Sequence, residues 1–207
     1  MTTLRKMYDS VTVADLPDTA AMVAGYVDGH YKNIDAIRRR FPHAVVVGIA
    51  TRASTNDGIV LDVEPGDATA QEAVGWVVRR RHAGHDPSVY CAASEWNAVR
   101  AAFHVAGVAE PHYWIAQWDG NPQIPAGAIA KQYRNAKPGE HYDVSSVHAY
   151  WPGVDMKPAP AHFYVVKKGD TLSEIAERYH MPLDHLLYKN PHIHNPNLIY
   201  PGQHINV

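Results

Sequence analysis

Residues 58–67 read GIVLDVEPGD and set an apolar run directly against two carboxylates. Residues 59–61 are strand formers, and the Pro-Gly-Asp turn at 65–67 ends the strand. Side chains two positions apart on a strand share a face, so Asp62 and Glu64 project together. Two facing acids repel each other unless chemistry or a partner uses them, which makes this pair a candidate site.

Short apolar runs alternate with amphipathic segments along the first 151 residues. Strand formers dominate seven stretches, at residues 5–11, 22–29, 44–50, 58–64, 87–92, 112–118 and 128–133. Apolar residues instead recur every three or four positions at residues 33–41, 68–83 and 94–106. Alternation of strands and helices, with strands that are apolar on both faces, predicts a parallel sheet or barrel. In such folds functional side chains gather at the carboxyl ends of the strands.

Acidic residues follow the predicted strands at the positions that this rule favours. Asp9 and Asp28 come after the first two strands, and the pair formed by Asp62 and Glu64 closes the fourth. For Asp28 we expect helix capping or loop solvation. For the pair we expect chemistry, because glycoside hydrolysis needs one carboxyl group that keeps its proton and another group that stabilises positive charge. The longer Glu64 can reach a glycosidic oxygen, whereas Asp62 can orient an N-acetyl group.

Aromatic side chains are expected around a sugar site, because sugar rings stack their C–H faces on them. The first 151 residues contain six such aromatic residues, mostly beside the predicted strand ends: Tyr8, Tyr26, Tyr90, Trp114, Trp118 and Tyr133. Each of them taken singly is as consistent with a buried core aromatic. As a group they favour a carbohydrate ligand.

The order of these motifs resembles that of glycoside hydrolase family 25, the lysozymes (muramidases) of phages and actinobacteria. The matching residues lie between positions 7 and 147: Asp9 in MYDS, Asp62 and Glu64 in LDVE, Trp114 and Ala116 in YWIAQW, Gln132 and Tyr133 in KQYRN, and Asp143 in YDVSSV. The resemblance implies that Glu64 is the general acid and that Asp62 assists the substrate's N-acetyl group. It also implies that Asp9 and Asp143 complete an acidic floor, with Gln132 and the aromatic residues contacting the sugar.

Two features depart from the family pattern. Lys131 stands where the family's motif has a Trp that faces sugar. Only about 150 residues are available, whereas a (β/α)₈ barrel typically takes ~250. We therefore expect an α/β fold with a compact or incomplete (β/α) barrel and a rebuilt acidic floor.

The chain divides into three predicted regions. Residues 1–151 are the barrel domain with lysozyme-like character. Residues 152–162 contain a Pro-Ala-Pro and no helix or strand period, which predicts an extended linker. Residues 163–207 form a small second domain.

The sequence of residues 164–207 predicts a βααβ unit, in which Thr171 and Glu174 form a capping box at the first helix. The pattern resembles a LysM domain over its full length. The resemblance implies binding of N-acetylglucosamine-containing glycans, peptidoglycan or chitin, in a groove between two loops: Gly169, Asp170, Thr171, Leu172 and Ser173 facing Asn197, Leu198, Ile199, Tyr200 and Pro201. Leu172 and Ile199 are equally consistent with core positions.

Composition argues against several other classes of function. A net charge of −2 and a pI near 6.7 argue against nucleic acid and anionic membrane as partners. The single Cys91 excludes an internal disulfide and is typical of a core residue. Neither His82 with His85 nor His192 with His194 has the spacing of a tight metal site. We therefore predict neither a metal nor a cofactor.

The N-terminal sequence has no signal-peptide core, and no window reaches the ~18 apolar residues of a membrane span. We therefore expect synthesis in the cytoplasm and action at the bacterial cell wall, after lysis or carriage on a virion.

The leading hypothesis is a phage-type hydrolase anchored on peptidoglycan, with virion or injection-particle proteins as further partners. The alternatives are a non-catalytic glycan-binding protein of a phage tail or injection particle, and a metal-dependent hydrolase that uses Asp9, Asp62 and Glu64.

Overall fold

A computed structural model of the 207-residue chain describes residues 4–135, 139–156, 162–193 and 195–207. The chain divides into two compact units, Met1–Met156 and Lys157–Val207. The Pro-Ala-Pro of the predicted linker, residues 158–160, lies outside the described residues.

The first unit is a closed eight-stranded barrel. Its strands are β1 (Arg5–Asp9), β2 (Met22–Tyr26), β3 (Val45–Ala50), β4 (Val60–Val63), β5 (Ser88–Ala92), β6 (His112–Ala116), β7 (Ala130–Arg134) and β8 (Asp143–Val147). Its α-helices in the described part of the chain are α1 (Ile34–Arg40), α2 (Ala70–His82) and α3 (Trp96–Val105). The predicted α/β barrel is confirmed, and all seven predicted strands and three predicted helices are present. The eighth strand was not predicted.

The barrel closes through β8, which runs antiparallel to both of its neighbours. Strands β1 to β7 pair in parallel in chain order, and β8 then pairs with β7 on one side and β1 on the other. Antiparallel neighbours need only a loop between them, whereas parallel neighbours usually need a helical crossover. This arrangement closes the ring within the first 147 residues. The barrel is therefore compact, and the alternative of an incomplete barrel is wrong.

Alternate residues of each strand point into the lumen, the interior of the barrel. An apolar cluster fills the lumen: Met7, Met22, Ala24, Val47, Ile49, Val60, Tyr90, Trp114, Ala116, Ala130, Val147 and Trp151. Trp151 lies at the amino ends of the parallel strands, where its indole Nε1 donates a hydrogen bond to Ser88 Oγ at 2.8 Å. Its backbone N–H donates to Asp155, which forms a 2.6 Å ion pair with Arg5. Trp151 thus closes the end of the barrel opposite the predicted site.

Helix α2 covers β4 and β5 and holds a neighbouring loop. Thr69 and Glu72 form a capping box at its start, and Ala73 and Val77 pack into the core. Near its end, Arg79 and Arg80 donate hydrogen bonds to backbone carbonyls of the loop between β3 and β4.

The second unit has the predicted βααβ order: β9 (Phe163–Val165), α4 (Leu172–Arg178), α5 (Leu183–Lys189) and β10 (His204–Asn206). Strand β9 pairs antiparallel with β10. The predicted capping box between Thr171 and Glu174 is present. Buried Asn190 donates hydrogen bonds to the carbonyls of Leu186 and Asn206 and accepts one from the Asn206 N–H, which ties α5 to the closing strand.

Cys91 lies on the outer face of β5 and is fully buried against α2 and α3, as expected for a core residue. Burial first, and then the charges of Glu64, Glu95 and Asp62, raise the pKa of its thiol to about 12. Among the described residues, no helix combines the length and apolarity needed to cross a membrane.

We predict that Trp151→Ala lowers the free energy of unfolding of the barrel by about 3–5 kcal/mol, because it leaves a cavity beneath Trp114 and an unpaired Ser88 hydroxyl. Urea unfolding followed by tryptophan fluorescence measures this, since all five tryptophans belong to the first unit. The matched control, Val105→Ala on an 86% exposed side chain, should change the value by less than about 0.5 kcal/mol. Equal values for the two variants would contradict the role of Trp151.

Candidate functional site

The four predicted acids come together in one cavity at the carboxyl ends of the parallel strands. Asp9, Asp62, Glu64 and Asp143 all line this cavity, which we call the acidic cavity and which has a volume of about 120 Å³. Asp9 ends β1 and stands directly opposite Asp143, the first residue of β8. Asp62 is in β4 and Glu64 follows it, two positions apart as the sequence pattern predicts.

Five of the seven predicted sugar-contacting residues also line the acidic cavity: Tyr26, Tyr90, Trp114, Trp118 and Gln132. Trp118 is 57% exposed, which places its indole at the mouth. The other two predictions are not supported by the structure. Tyr8 lies on the outer face of β1 in edge-to-face contact with Tyr142, because the two-residue strand period turns the neighbour of a lumen residue outward. Tyr133 lies at an irregularity in the pairing of β7 with β8 and does not line the cavity.

Gln132 connects three walls of the acidic cavity. Its Oε1 accepts hydrogen bonds from the Tyr90 hydroxyl at 2.9 Å and from Trp118 Nε1 at 2.8 Å. Its Nε2 donates to both carboxylate oxygens of Asp9, at 3.1 and 3.2 Å. The amide therefore fixes the orientation of an exposed aromatic ring and of a buried acid at once.

Three acids of the cavity, Asp9, Asp62 and Glu64, have raised pKa values. Burial, with smaller contributions from Glu64, Asp67 and other acids, raises the pKa of Asp62 from 3.8 to about 8. Burial and the charge of Asp143 raise the pKa of Asp9 to about 7, although the hydrogen bond from Gln132 lowers it. The pKa of Glu64 is also raised, by burial first and then by Asp67 and Asp143. Like charges in a desolvated site cannot all ionise together, so protons are retained near neutral pH.

Asp62 and Glu64 differ in access. Asp62 is 5% exposed, and its Oδ1 has no hydrogen-bond partner among the described residues. Glu64 is half-buried and also borders a wider cleft of about 400 Å³ that continues to Ala98 and Val99 on α3. A molecule that enters from the wider cleft therefore meets Glu64 before Asp62. Asp62 lies deeper, and its Oδ1 is buried without a hydrogen-bond partner among the described residues.

Lys131 does not face the acidic cavity. It lies on the outer face of β7, and its buried Nζ makes a 2.8 Å ion pair with Asp119 in the loop that carries Trp118. The departure from the family motif therefore stabilises the loop behind Trp118. The expectation that Lys131 rebuilds the acidic floor is wrong.

Asp28 has the structural role that we expected for it. Its carboxylate accepts hydrogen bonds from the backbone N–H groups of Thr51 and Arg52 and from the hydroxyls of Thr51 and Thr55. Burial opposes ionisation, but these bonds together lower the pKa of Asp28.

The second unit contains a groove of about 440 Å³. Six predicted residues line it: Asp170, Thr171, Leu172, Ser173, Asn197 and Ile199. Leu172 is 3% exposed and also belongs to the core of the domain, so it is both a core residue and part of the groove lining. The other four predicted residues, Gly169, Leu198, Tyr200 and Pro201, do not line the groove. Sequence reasoning missed Leu183, Leu187 and Pro196, although the apolar face of α5 was visible as a leucine pattern.

Among the described residues, no group of three or more His, Cys, Asp and Glu side chains is arranged to hold a metal ion. His194 lies outside the described residues.

Comparison with known proteins identifies the second unit. The LysM domain family matches residues 164–207. These residues are a LysM domain. LysM domains bind peptidoglycan and other N-acetylglucosamine-containing glycans, so the chain carries a peptidoglycan-binding module.

Two curated proteins are similar to part of this chain, and the first of them matches over the LysM region. An endolysin of Bacillus phage B103 is 55% identical over 51 residues, which are 25% of this chain and 19% of that protein. A chlorophenol reductase of Desulfitobacterium hafniense is 44% identical over 57 residues, 27% of this chain and 17% of that protein. The chain thus spans less than a fifth of the length of either relative.

A crystal structure of an uncharacterized B. stearothermophilus protein aligns with 68% of this chain and 94% of its own, at 16% identity and a TM-score of 0.44.

We predict that the barrel loses stability as pH rises from about 4 to about 8, because the folded state holds protons on Asp62 and Asp9 that the unfolded state releases near pH 4. Asp62→Asn removes one of these protonation steps. It should leave the free energy of unfolding unchanged near pH 4 and raise it by more than about 1.4 kcal/mol at pH 8. Tryptophan-monitored urea unfolding at the two pH values is the measurement.

Asp28→Asn is the matched control with the opposite sign. Because the pKa of Asp28 is lowered, its carboxylate stabilises the fold above the unfolded pKa near 4. This variant should therefore be less stable than wild type at pH 8 and closer to it at low pH. The same pH dependence in both variants would refute the assignment of the buried protons to Asp62.

Proposed function

We propose that the protein is a cell-wall glycosidase of the lysozyme type, an N-acetylmuramidase, whose LysM domain holds it on peptidoglycan. The observation that carries this proposal is the acidic cavity: four carboxyl groups at the mouth of a barrel beside an exposed Trp, with the pKa values of Asp9, Asp62 and Glu64 raised by burial and neighbouring acids. The resemblance of the same residues to family 25 lysozymes supports it.

Glu64 is the proton donor in this proposal. It is the acid reached from the wider cleft, and burial with the charges of Asp67 and Asp143 raises its pKa, as suits a proton donor. Protonation of the glycosidic oxygen breaks its bond to the sugar carbon, where positive charge develops, and water then adds to that carbon and returns a proton to Glu64. Asp9 and Asp143, which share the cavity, supply negative charge below that carbon, and the developing cation relieves their repulsion.

Asp62 assists the substrate's N-acetyl group. Its unpartnered Oδ1 is buried and lines the cavity, so the amide of an N-acetyl sugar would satisfy a polar atom that the protein leaves unsatisfied. A site that leaves a polar atom unpaired until the right sugar arrives also discriminates against sugars that lack the amide.

Trp118 provides the surface on which a sugar ring stacks. Its ring is exposed at the mouth, and its N–H is already bound to Gln132, which holds the ring in one orientation. A ring fixed before the sugar binds loses little conformational freedom on binding, and this improves affinity.

The LysM domain raises the local concentration of the glycosidase on its polymer. The similarity of this region to a phage endolysin supports action at the bacterial wall in a phage context, with release by lysis or carriage on a virion. Virion or injection-particle proteins are the further partners in the second case.

We predict that Glu64→Gln lowers hydrolysis of purified peptidoglycan by at least ~10²-fold, because it removes the transferable proton and keeps the shape of the side chain. Reducing-end release, with mass spectrometry of the new ends, measures the reaction and tests for muramic acid at the cleaved position. Sedimentation with insoluble peptidoglycan should show unchanged binding through the LysM domain.

The matched control is Glu95→Gln, which changes an exposed acid of the neighbouring cleft. It should hydrolyse at nearly the wild-type rate. If wild type and Glu64→Gln release reducing ends equally, or neither does, the glycosidase proposal fails. The chain would then be a non-catalytic glycan-binding protein.

We predict that Leu183→Asp weakens sedimentation of the full-length chain with peptidoglycan by at least about tenfold, because it places a charge in the apolar wall of the LysM groove. Tyr188→Asp is the control on the same helix, since this side chain is 82% exposed and does not line the groove. Equal losses in the two variants would argue that glycans bind elsewhere on the domain.

A further inference from the structure

A second, larger cleft lies beside the acidic cavity and has no role in the proposed reaction. Its volume is about 450 Å³, within the ~300–1,000 Å³ of typical small-ligand pockets. Three loops at the carboxyl ends of β2, β3 and β4 form its walls, through residues 29–30, 51–54 and 66–68, together with Glu72 of α2. We call it the loop cleft.

The walls of the loop cleft are fixed from the barrel side. The carboxylate of Asp28 accepts hydrogen bonds from the backbone N–H groups of Thr51 and Arg52, at 2.7 and 3.2 Å, and from the hydroxyl of Thr55. Gly29 has φ +74°, and a Cβ there would stand 2.7 Å from Thr51 Oγ1. The first two loops are therefore pressed together at a position that suits glycine.

Helix α2 fixes the same wall from the other side. Trp76 Nε1 donates a 2.8 Å hydrogen bond to the carbonyl of Thr55, and Arg79 donates to the carbonyl of Ala53. Arg80 donates to the carbonyl of Gly58 at 2.8 Å. The loop from β3 to β4 thus has its backbone carbonyls and N–H groups occupied by the fold, while its side chains at 52 and 54 are exposed.

The loop cleft carries both signs of charge. Arg52 lines it, and its guanidinium makes no hydrogen bond or ion pair with any described residue. His30 also lines the cleft, and Asp67 lies in the wall formed by the third loop. Residues 66–68 line both the loop cleft and the wider cleft that Glu64 borders, so the loop cleft adjoins the acidic cavity through that wider cleft.

The lining of the loop cleft differs from that of a sugar site. None of the described residues that line it is Trp, Tyr or Phe, whereas four such residues line the acidic cavity. An unpaired guanidinium instead suits a carboxylate, which it can bind through two parallel hydrogen bonds. A nearby carboxylate such as Asp67 suits an amine.

We propose that the loop cleft binds the stem peptide of peptidoglycan, with Arg52 holding a peptide carboxylate. This inference rests on the proposed function. Peptidoglycan differs from chitin in the short peptide that its muramic acid carries, and that peptide presents free carboxylates and an amine. A glycan strand placed in the acidic cavity would bring this peptide to the adjoining loop cleft. Arg52 then makes the enzyme select peptide-bearing strands.

The test compares two substrates and two variants of the full-length protein. The substrates are intact peptidoglycan and the same glycan strands after an amidase has removed the peptides. Arg52→Ala should lower kcat/KM about tenfold on intact peptidoglycan, since a hydrogen-bonded charge pair is lost, and leave it unchanged on stripped strands. Arg38→Ala, on the exposed surface of α1, is the matched control and should change neither. Equal effects of Arg52→Ala on both substrates would overturn the proposal.

If neither substrate is cleaved, the proposed glycosidase function fails, but peptide binding by the loop cleft can still be tested by a binding measurement. The probe is a synthetic N-acylated stem peptide without sugar, which offers the LysM groove no N-acetylglucosamine. Titration into the full-length chain, followed by NMR, should show saturable binding that Arg52→Ala weakens about tenfold and Arg38→Ala does not. Absence of peptide binding by wild type, or equal binding by all three proteins, would overturn the assignment of the loop cleft.

Discussion

The pairing of β8 with both β7 and β1 is the constraint on which the first unit depends. Eight strands must form a ring, yet the chain devotes helices to few of its connections. Because β8 is antiparallel to β7, the connection between them needs no helical crossover. The same strand carries Asp143 into register with Asp9, so the geometry that closes the ring also places two carboxylates face to face. Closure and chemistry therefore have a common origin in β8.

The lumen divides into two layers with opposite character. Near the amino ends of the strands Trp151 fills the space, and Trp114 packs between it and the acidic cavity; both indoles donate their N–H groups to serine hydroxyls. Near the carboxyl ends, acids that repel one another occupy the lumen, and Gln132 is the amide that links them to the aromatic wall. The packed aromatic layer supports the strands that carry the acids.

The sequence predicted the barrel because each parallel strand is apolar on both faces and each helix has a clear period. It missed β8 because DVSSV is short and polar. Its two serines are nevertheless buried, since Ser145 accepts the Trp114 N–H at 3.0 Å and Ser146 pairs with Lys131 across the strands. No local pattern identifies a serine whose partner is an indole 31 residues away.

The candidate site was partly predictable from the strand period. Asp62 and Glu64 share a face because they are two positions apart, and the structure brings both into the acidic cavity. The same period could have excluded Tyr8, since it adjoins a residue that must face inward. The three hydrogen-bond partners of Gln132 lie on three other segments, and the loop cleft depends on bonds from Asp28 and α2, so only the folded chain reveals them.

The burial of Cys91 has a practical consequence for chemical labelling. Its thiol is the only one in the sequence, it has no exposed surface, and it stays protonated at any pH at which the protein is handled. Maleimides and other thiol reagents react with the thiolate of accessible cysteines, so the native chain is not expected to react with them. A cysteine introduced on the loop that carries Trp118, or on the rim of the LysM groove, would thus take a fluorophore or spin label at that position alone, with no native residue to remove first.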